Sequence, residues 1–156
     1  MLGIGIIGCG AIAARRHAPE YARARDCRLV GMYDPNLARA RELAAAYGAK
    51  AYATQEELLA DPAIGAVSVC TANDTHAAVS IAALRAGKHV LCEKPMAVNV
   101  RQAQDMIDEA KRAGKILMVA HNQRLDPAHA LAKQLLASGE LGKVLSFCLL
   151  YTSRCV

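Results

Sequence analysis

Four short stretches of the chain hold residues whose types and order could do chemistry. Gly8-Cys9-Gly10-Ala11-Ile12-Ala13 reads G-x-G-x-x-A at the end of a short apolar run. Asp34 closes a second apolar run, directly before Pro35. Thr71-Ala72-Asn73-Asp74-Thr75-His76 and Glu93-Lys94-Pro95 follow two more. In the first stretch, Gly8 permits a tight turn and Gly10 lets the backbone approach a pyrophosphate. The small Ala13 lets helix and strand pack closely. A helix beginning there offers free N–H groups and a partial positive charge to phosphates. No G-K-[ST] follows, which argues against a nucleoside-triphosphate loop.

Asp34 comes somewhat later than the roughly 20-residue spacing expected after a dinucleotide-binding glycine turn. A carboxylate there can accept hydrogen bonds from adenosine ribose hydroxyls. It would also repel a 2′-phosphate, which favours NAD over NADP. Arg39 and Arg41 keep NADP open. Asp34 could instead cap a helix beginning at Pro35, and both roles can hold together. Up to this point S-adenosylmethionine enzymes, which share a glycine loop and a ribose-binding acid, remain the competitor.

Lys94 decides against them. A lone lysine is normally a solvated surface group. This one follows Glu93 and precedes Pro95 at the mouth of an apolar run, so its position is restricted. It can donate a proton or a hydrogen bond to a carbonyl oxygen as hydride moves to the carbon. Burial there would tune its proton affinity. Lys94–Pro95 is a candidate cis bond, a bend that would aim the lysine.

The elements that must hold these residues alternate regularly. Strand-like runs are Leu2 to Gly8, Arg28 to Tyr33, Ala66 to Cys70, Lys88 to Cys92 and Ile116 to Ala120, with a weaker one at Lys50 to Ala53. They are continuously apolar, as in parallel strands covered on both faces. Between them, Leu37, Ala40, Leu43, Ala44 and Tyr47 recur at helical spacing before Gly48. Thr54 to Glu57 is a capping box. Val79, Ala82, Ala83 and Ala86 form a stripe stopped by Gly87. Asn99 to Gln102 opens a helix with the face Ala103, Met106, Ile107 and Ala110, stopped by Gly114. Pro19 is expected to end or kink the first helix. The alternation implies an α/β fold: a doubly wound parallel sheet with right-handed crossovers. Ligands bind such a sheet beyond the carboxyl ends of its strands, which brings all four stretches to one crevice. After Ala120 the rhythm changes. Asp126-Pro127 starts a helix containing Leu131, Leu135 and Leu136, and a strand-like run follows from Lys143 to Tyr151.

The chain resembles the glucose–fructose oxidoreductase / inositol dehydrogenase / MocA (Gfo/Idh/MocA) family of NAD(P)-dependent oxidoreductases. The residues that carry the resemblance are "GIIGCGAIA", "TANDTH", "AGKHVLCEKPMA" and "HNQRLDPA" followed by "SGELGKV", which together span Gly3 to Val144. The resemblance implies a Rossmann domain over 1–123. It also implies the start of a second α/β domain over 124–156, reaching only its first helix and strand. Members act on sugars, inositols and related polyols. By the same likeness Lys94 is the catalytic lysine near the nicotinamide, and Gly8, Gly10, Ala11 and Ile12 line the pyrophosphate. Asp34 is the ribose acid. Thr71, Asn73, His76 and Glu93 line the cofactor cleft, and Asn122 and Arg124 join the domains beside the nicotinamide. The family usually has T-P-N where this chain has Thr71-Ala72-Asn73. Its members are much longer, and their substrate domain carries a second catalytic motif, an Asp followed four residues later by a His. No His follows His129. The chain is therefore expected to be a C-terminal truncation, with 148–156 a non-native junction and a homo-oligomer expected only of the full-length relative. A non-catalytic dinucleotide-sensing regulator on the same fold is the alternative.

Composition excludes other classes. The chain has 156 residues, 54% hydrophobic and 21% charged, with 19 Lys+Arg and 14 Asp+Glu for a net charge of +5. That is neither a disordered tail nor a chain needing disulfide staples. Its six cysteines form no C-x-x-C pair, so no metal site is expected, and a reducing, cytoplasmic setting is. "IIGC" resembles a lipoprotein box, but Arg15 and Arg16 follow the apolar run instead of preceding it. The apolar runs fall short of the roughly 18 residues of a membrane span. Arg15, Arg16, Arg23, Arg25 and Arg28 have only Tyr21 as a nearby aromatic and are expected on a solvated face, not on nucleic acid. The partner expected is a small sugar or polyol. Because positioned proton transfer alone contributes about 10²–10⁴-fold, this polypeptide is expected to turn over inositols and aldoses with NAD little or not at all. A steady-state assay checks this, and substantial turnover would contradict the fragment reading.

Overall fold

The computed structural model describes residues 1–148. The chain forms two compact units, Met1–Ala120 and a second beginning at His121. The first is a six-stranded sheet: β1 (Leu2–Ile7), β2 (Cys27–Tyr33), β3 (Lys50–Ala51), β4 (Ala66–Val69), β5 (His89–Cys92) and β6 (Leu117–Val119). The strand order is β3-β2-β1-β4-β5-β6, and every ladder is parallel. The order reverses between β1 and β4, which is where a doubly wound sheet opens its ligand crevice.

Continuous apolar runs become parallel strands because both faces are covered. Ile7, Val67, Val69, Val90 and Cys92 pack with Ala83 and Leu84 of α4 (His76–Arg85) and Met106 of α5 (Val100–Ala113). Ile6 and Met32 pack with Ala13, Ala18, and Ala40 and Ala44 of α2 (Leu37–Ala46). Alanines dominate the second set, so backbones can approach closely.

Helix starts follow their caps. Thr54 Oγ1 accepts the Glu57 N–H at 3.1 Å ahead of α3 (Gln55–Ala60). Glu57 reaches back to the Ala53 N–H at 3.1 Å, one residue earlier than a standard capping box. Asn99 accepts the Gln102 N–H at 2.9 Å, and left-handed Gly114 ends α5.

Several expectations are corrected. Pro19 does not end the first helix. A π-helical turn, Ala13–His17, leads into α1 (Ala18–Arg23), and the chain is helical over 11–23. Proline has no N–H and its ring crowds the carbonyl four residues back, so the wider turn before it gives that ring room. The stripe on α4 is offset. Ala77, Ser80, Ala83 and Leu84 are buried, while Val79 and Ala82 pack at the margin. On α5, Ile107 is exposed and Glu109 is buried, held by Arg85 of α4 and Arg112. The arginines of the first helix are exposed as expected, and Arg16 pairs with Glu20 at 2.6 Å.

The second unit holds a 3-10 turn (Asn122–Leu125) and α6 (Pro127–Ala137), with Asp126 accepting the Ala128 N–H at 2.8 Å. The strand expected from Lys143 is not formed over 143–148, because no described strand pairs with it; its remainder lies outside the described residues. Among the described residues no helix is long and apolar enough to cross a membrane.

Met106 is fully buried between α5 and the sheet. Met106→Ala is expected to destabilise the first unit by about 2–5 kcal/mol, read as a lowered urea midpoint.

Candidate functional site

The site lies at the carboxyl ends of β1, β2, β4 and β5. Gly8 leaves β1 at φ 93, and its N–H donates to the Tyr33 carbonyl at 2.8 Å. A Cβ at Gly8 would lie 2.6 Å from the Cys70 carbonyl oxygen, so only glycine fits this left-handed crossing of β1 and β4. At Gly10 a Cβ would meet nothing within 4 Å. Gly10 directly precedes the helix over 11–23, whose first N–H groups have no intrahelical partner. Ala11 and Ile12 are exposed there, and no acidic side chain stands in the first turn.

Asp34 is 7% exposed. Its Oδ2 accepts the Cys9 N–H at 2.8 Å and its Oδ1 accepts the Asn36 N–H at 2.8 Å. Arg39 lies 3.9 Å from Oδ2. Helix α2 is capped by Asn36, not Asp34, because Asn36 accepts the Ala38 and Arg39 N–H groups. Asp34 thus ties the glycine turn to β2, and each of its oxygens keeps a lone pair for a hydroxyl donor.

After β4, Thr71 Oγ1 lies 2.8 Å from the Thr75 hydroxyl, and Asn73 is exposed on the 3-10 turn Asn73–Thr75. His76 is 1% exposed. Its Nδ1 lies 2.7 Å from the Pro95 carbonyl and its Nε2 3.1 Å from the Thr71 carbonyl. It braces two loops from behind and offers no free nitrogen to the cleft.

Glu93 continues β5, with its N–H on the Val69 carbonyl at 3.0 Å. Its Oε2 accepts the Lys94 backbone N–H at 3.1 Å. Its Oε1 lies 2.8 Å from His17 Nε2. The Lys94–Pro95 bond is cis, as the sequence reading anticipates. Lys94 is exposed, so the burial expected for it is corrected: it stands at the open end of the sheet. Asn122 and Arg124 lie on the 3-10 turn of the second unit, both exposed.

Sequence reasoning missed His17 and Ser68. His17 follows Ala13 by one helical turn on the face that packs on the sheet, and this spacing was the available signal. The flanking arginines drew attention to the solvated face instead. Ser68 is a lone hydroxyl in an apolar run.

A family model described as an oxidoreductase family with an NAD-binding Rossmann fold matches residues 2–121. The chain belongs to the Gfo/Idh/MocA oxidoreductase family. Among Gfo/Idh/MocA-like relatives, myo-inositol 2-dehydrogenase of Thermotoga maritima is 38% identical over 141 residues, covering 90% of this chain and 42% of the relative. A 3-ketoreductase from Actinomadura kijaniata, solved with NADP, superposes with a TM-score of 0.86 at 30% identity, covering 91% of this chain and 45% of that one. An NAD-binding oxidoreductase from Klebsiella pneumoniae is 43% identical with a TM-score of 0.75, covering 90% and 40%. The chain spans about two fifths of the length of the curated relatives it matches.

Three thiols lie beneath this cleft. Burial, then the Asp34 charge, pushes Cys9 up to about 12. Burial, then Glu93, pushes Cys70 up to about 12, and burial pushes Cys92 up to about 11. Neutral thiols leave the positive helix end unopposed. In the unfolded chain these thiols would ionise near pH 9, so above that pH the unfolded state binds fewer protons and stability falls. Stability is expected to hold below pH 9 and to drop towards pH 11, by at most about 1.4 kcal/mol per thiol per pH unit. Urea midpoints at pH 8 and pH 10 check this, and Cys92→Ala should flatten the slope.

Proposed function

We propose that residues 1–123 are the cofactor domain of a dehydrogenase acting on a sugar, inositol or related polyol. In this reading 124–156 begins its substrate domain. NAD is the preferred cofactor. The observation that carries this reading is the buried Asp34 carboxylate, anchored by the Cys9 and Asn36 N–H groups beside the glycine turn. The anchored oxygens can accept from the vicinal hydroxyls of an adenosine ribose, and their charge repels a 2′-phosphate. Arg39, at 3.9 Å and largely exposed, offsets that charge only partly.

The remaining residues fit the same group. The open space at Gly10 and the free N–H groups at 11 and 12 suit a diphosphate. Thr71, Asn73 and Glu93 edge the cleft, and His76 holds the Thr71 and Pro95 backbones in place. When bound, the nicotinamide supplies the hydride acceptor. Lys94 Nζ takes up the proton of the substrate hydroxyl, or returns it when the reaction runs towards reduction. The names of the relatives, an inositol dehydrogenase and a 3-ketoreductase among them, support the substrate class.

Calorimetric titration of the chain is expected to show tighter binding of NAD than of NADP. Asp34→Ala should narrow the difference by about tenfold, the scale of one hydrogen bond to a charged group. Equal affinities in the unmodified chain would remove the Asp34 argument.

A further inference from the structure

We propose that His17 is a positioning residue for the Glu93-Lys94-Pro95 turn, holding the Glu93 carboxylate and through it the backbone at Lys94. The inference rests on the reading of Lys94 as the residue beside the nicotinamide. His17 ends the π-helical turn and is 7% exposed. Its Nε2 lies 2.8 Å from Glu93 Oε1, and its Nδ1 lies 2.7 Å from Ser68 Oγ. Ser68 is fully buried on β4 and also meets the Tyr21 hydroxyl at 3.1 Å. The second Glu93 oxygen takes the Lys94 N–H.

The chemistry gives this chain a direction. A carboxylate only accepts, so His17 Nε2 carries a proton and donates to Glu93. The other ring nitrogen, Nδ1, is hydrogen-bonded to the Ser68 hydroxyl. Ser68 Oγ also shares a hydrogen bond with the Tyr21 hydroxyl, whose proton affinity burial raises. Tyr21, Ser68, His17 and Glu93 thus form one ordered series from the first helix, through the sheet, to the turn carrying Lys94.

A histidine that only filled the core would need no carboxylate partner at the cleft. The Glu93 side chain is 13% exposed, and a carboxylate so far from water needs its donors. Without His17 it would turn towards solvent and release the Lys94 N–H. The wider π turn is compatible with this role, since such turns are frequent at functional sites.

The ¹⁵N-labelled chain tests this with two ligands, NADH and ADP-ribose, the second lacking the nicotinamide. His17→Phe fills the ring's space without a donor. It is expected to shift the Lys94 amide resonance and weaken NADH about tenfold, with ADP-ribose affinity unchanged. His17→Gln, whose amide can donate to Glu93, should restore both readouts, and it keeps the test decisive if His17→Phe does not fold. A Lys94 amide that stays put in His17→Phe overturns the inference. So does an equal effect on the two ligands, or a His17→Gln chain that folds and behaves no differently from His17→Phe. Should the unmodified chain bind neither ligand, the cofactor reading fails, and the Lys94 amide alone decides the role of His17.

Discussion

The hydrogen bond from the Cys9 N–H to Asp34 Oδ2, at 2.8 Å, joins the turn after β1 to the end of β2. Much of the cleft depends on it. The glycine turn must be left-handed at Gly8 because β4 passes too close for any side chain. A turn so constrained exposes its next N–H, and an unpaired buried donor is costly. Asp34 satisfies that donor from a neighbouring strand and stays buried with its charge partnered. In the proposed function the same carboxylate also receives the ribose hydroxyls, which would join structural need and recognition in one group.

A second tie of this kind spans β4 and β5. His76 bridges the loops after both strands, with one nitrogen at the Pro95 carbonyl and the other at that of Thr71. His17 reaches the same turn from the helix after the glycine loop. The two histidines meet this turn at different points, His17 at the Glu93 carboxylate and His76 at the Pro95 carbonyl, and both are buried. The flexible, exposed Lys94 is thus mounted on a backbone that its neighbours hold. Positioning a reacting group can supply a large part of a barrier, and in the proposed function the polar contacts converging on these three residues serve that end.

The thiols follow from the same packing. Cys9, Cys70 and Cys92 fill space where strand ends crowd together, and burial keeps them protonated. They act as small apolar groups. None of them adds negative charge where a diphosphate would arrive.

Local patterns in the chain were enough to read the sheet. The run Ile4 to Ile7 is apolar throughout and Val67 to Val69 is broken only by the Ser68 hydroxyl, and Thr54, Asn99 and Asp126 announce helix starts by their own side-chain chemistry. The glycine turn, Asp34 and Lys94 were legible for the same reason: each follows a strand directly, and the parallel topology brings strand ends together. What depended on folding was every contact between residues far apart in sequence. Asn36 rather than Asp34 caps α2 because Asp34 is claimed by Cys9. Glu109 is buried because Arg85 of another helix meets it. The helix passes Pro19 because a π turn makes room, and that turn delivers His17 to Ser68 and Glu93, 51 and 76 residues away. Sequence periodicity records which face of an element is apolar. It holds no record of which distant polar group a buried side chain will meet, since that is set by how elements cross in space.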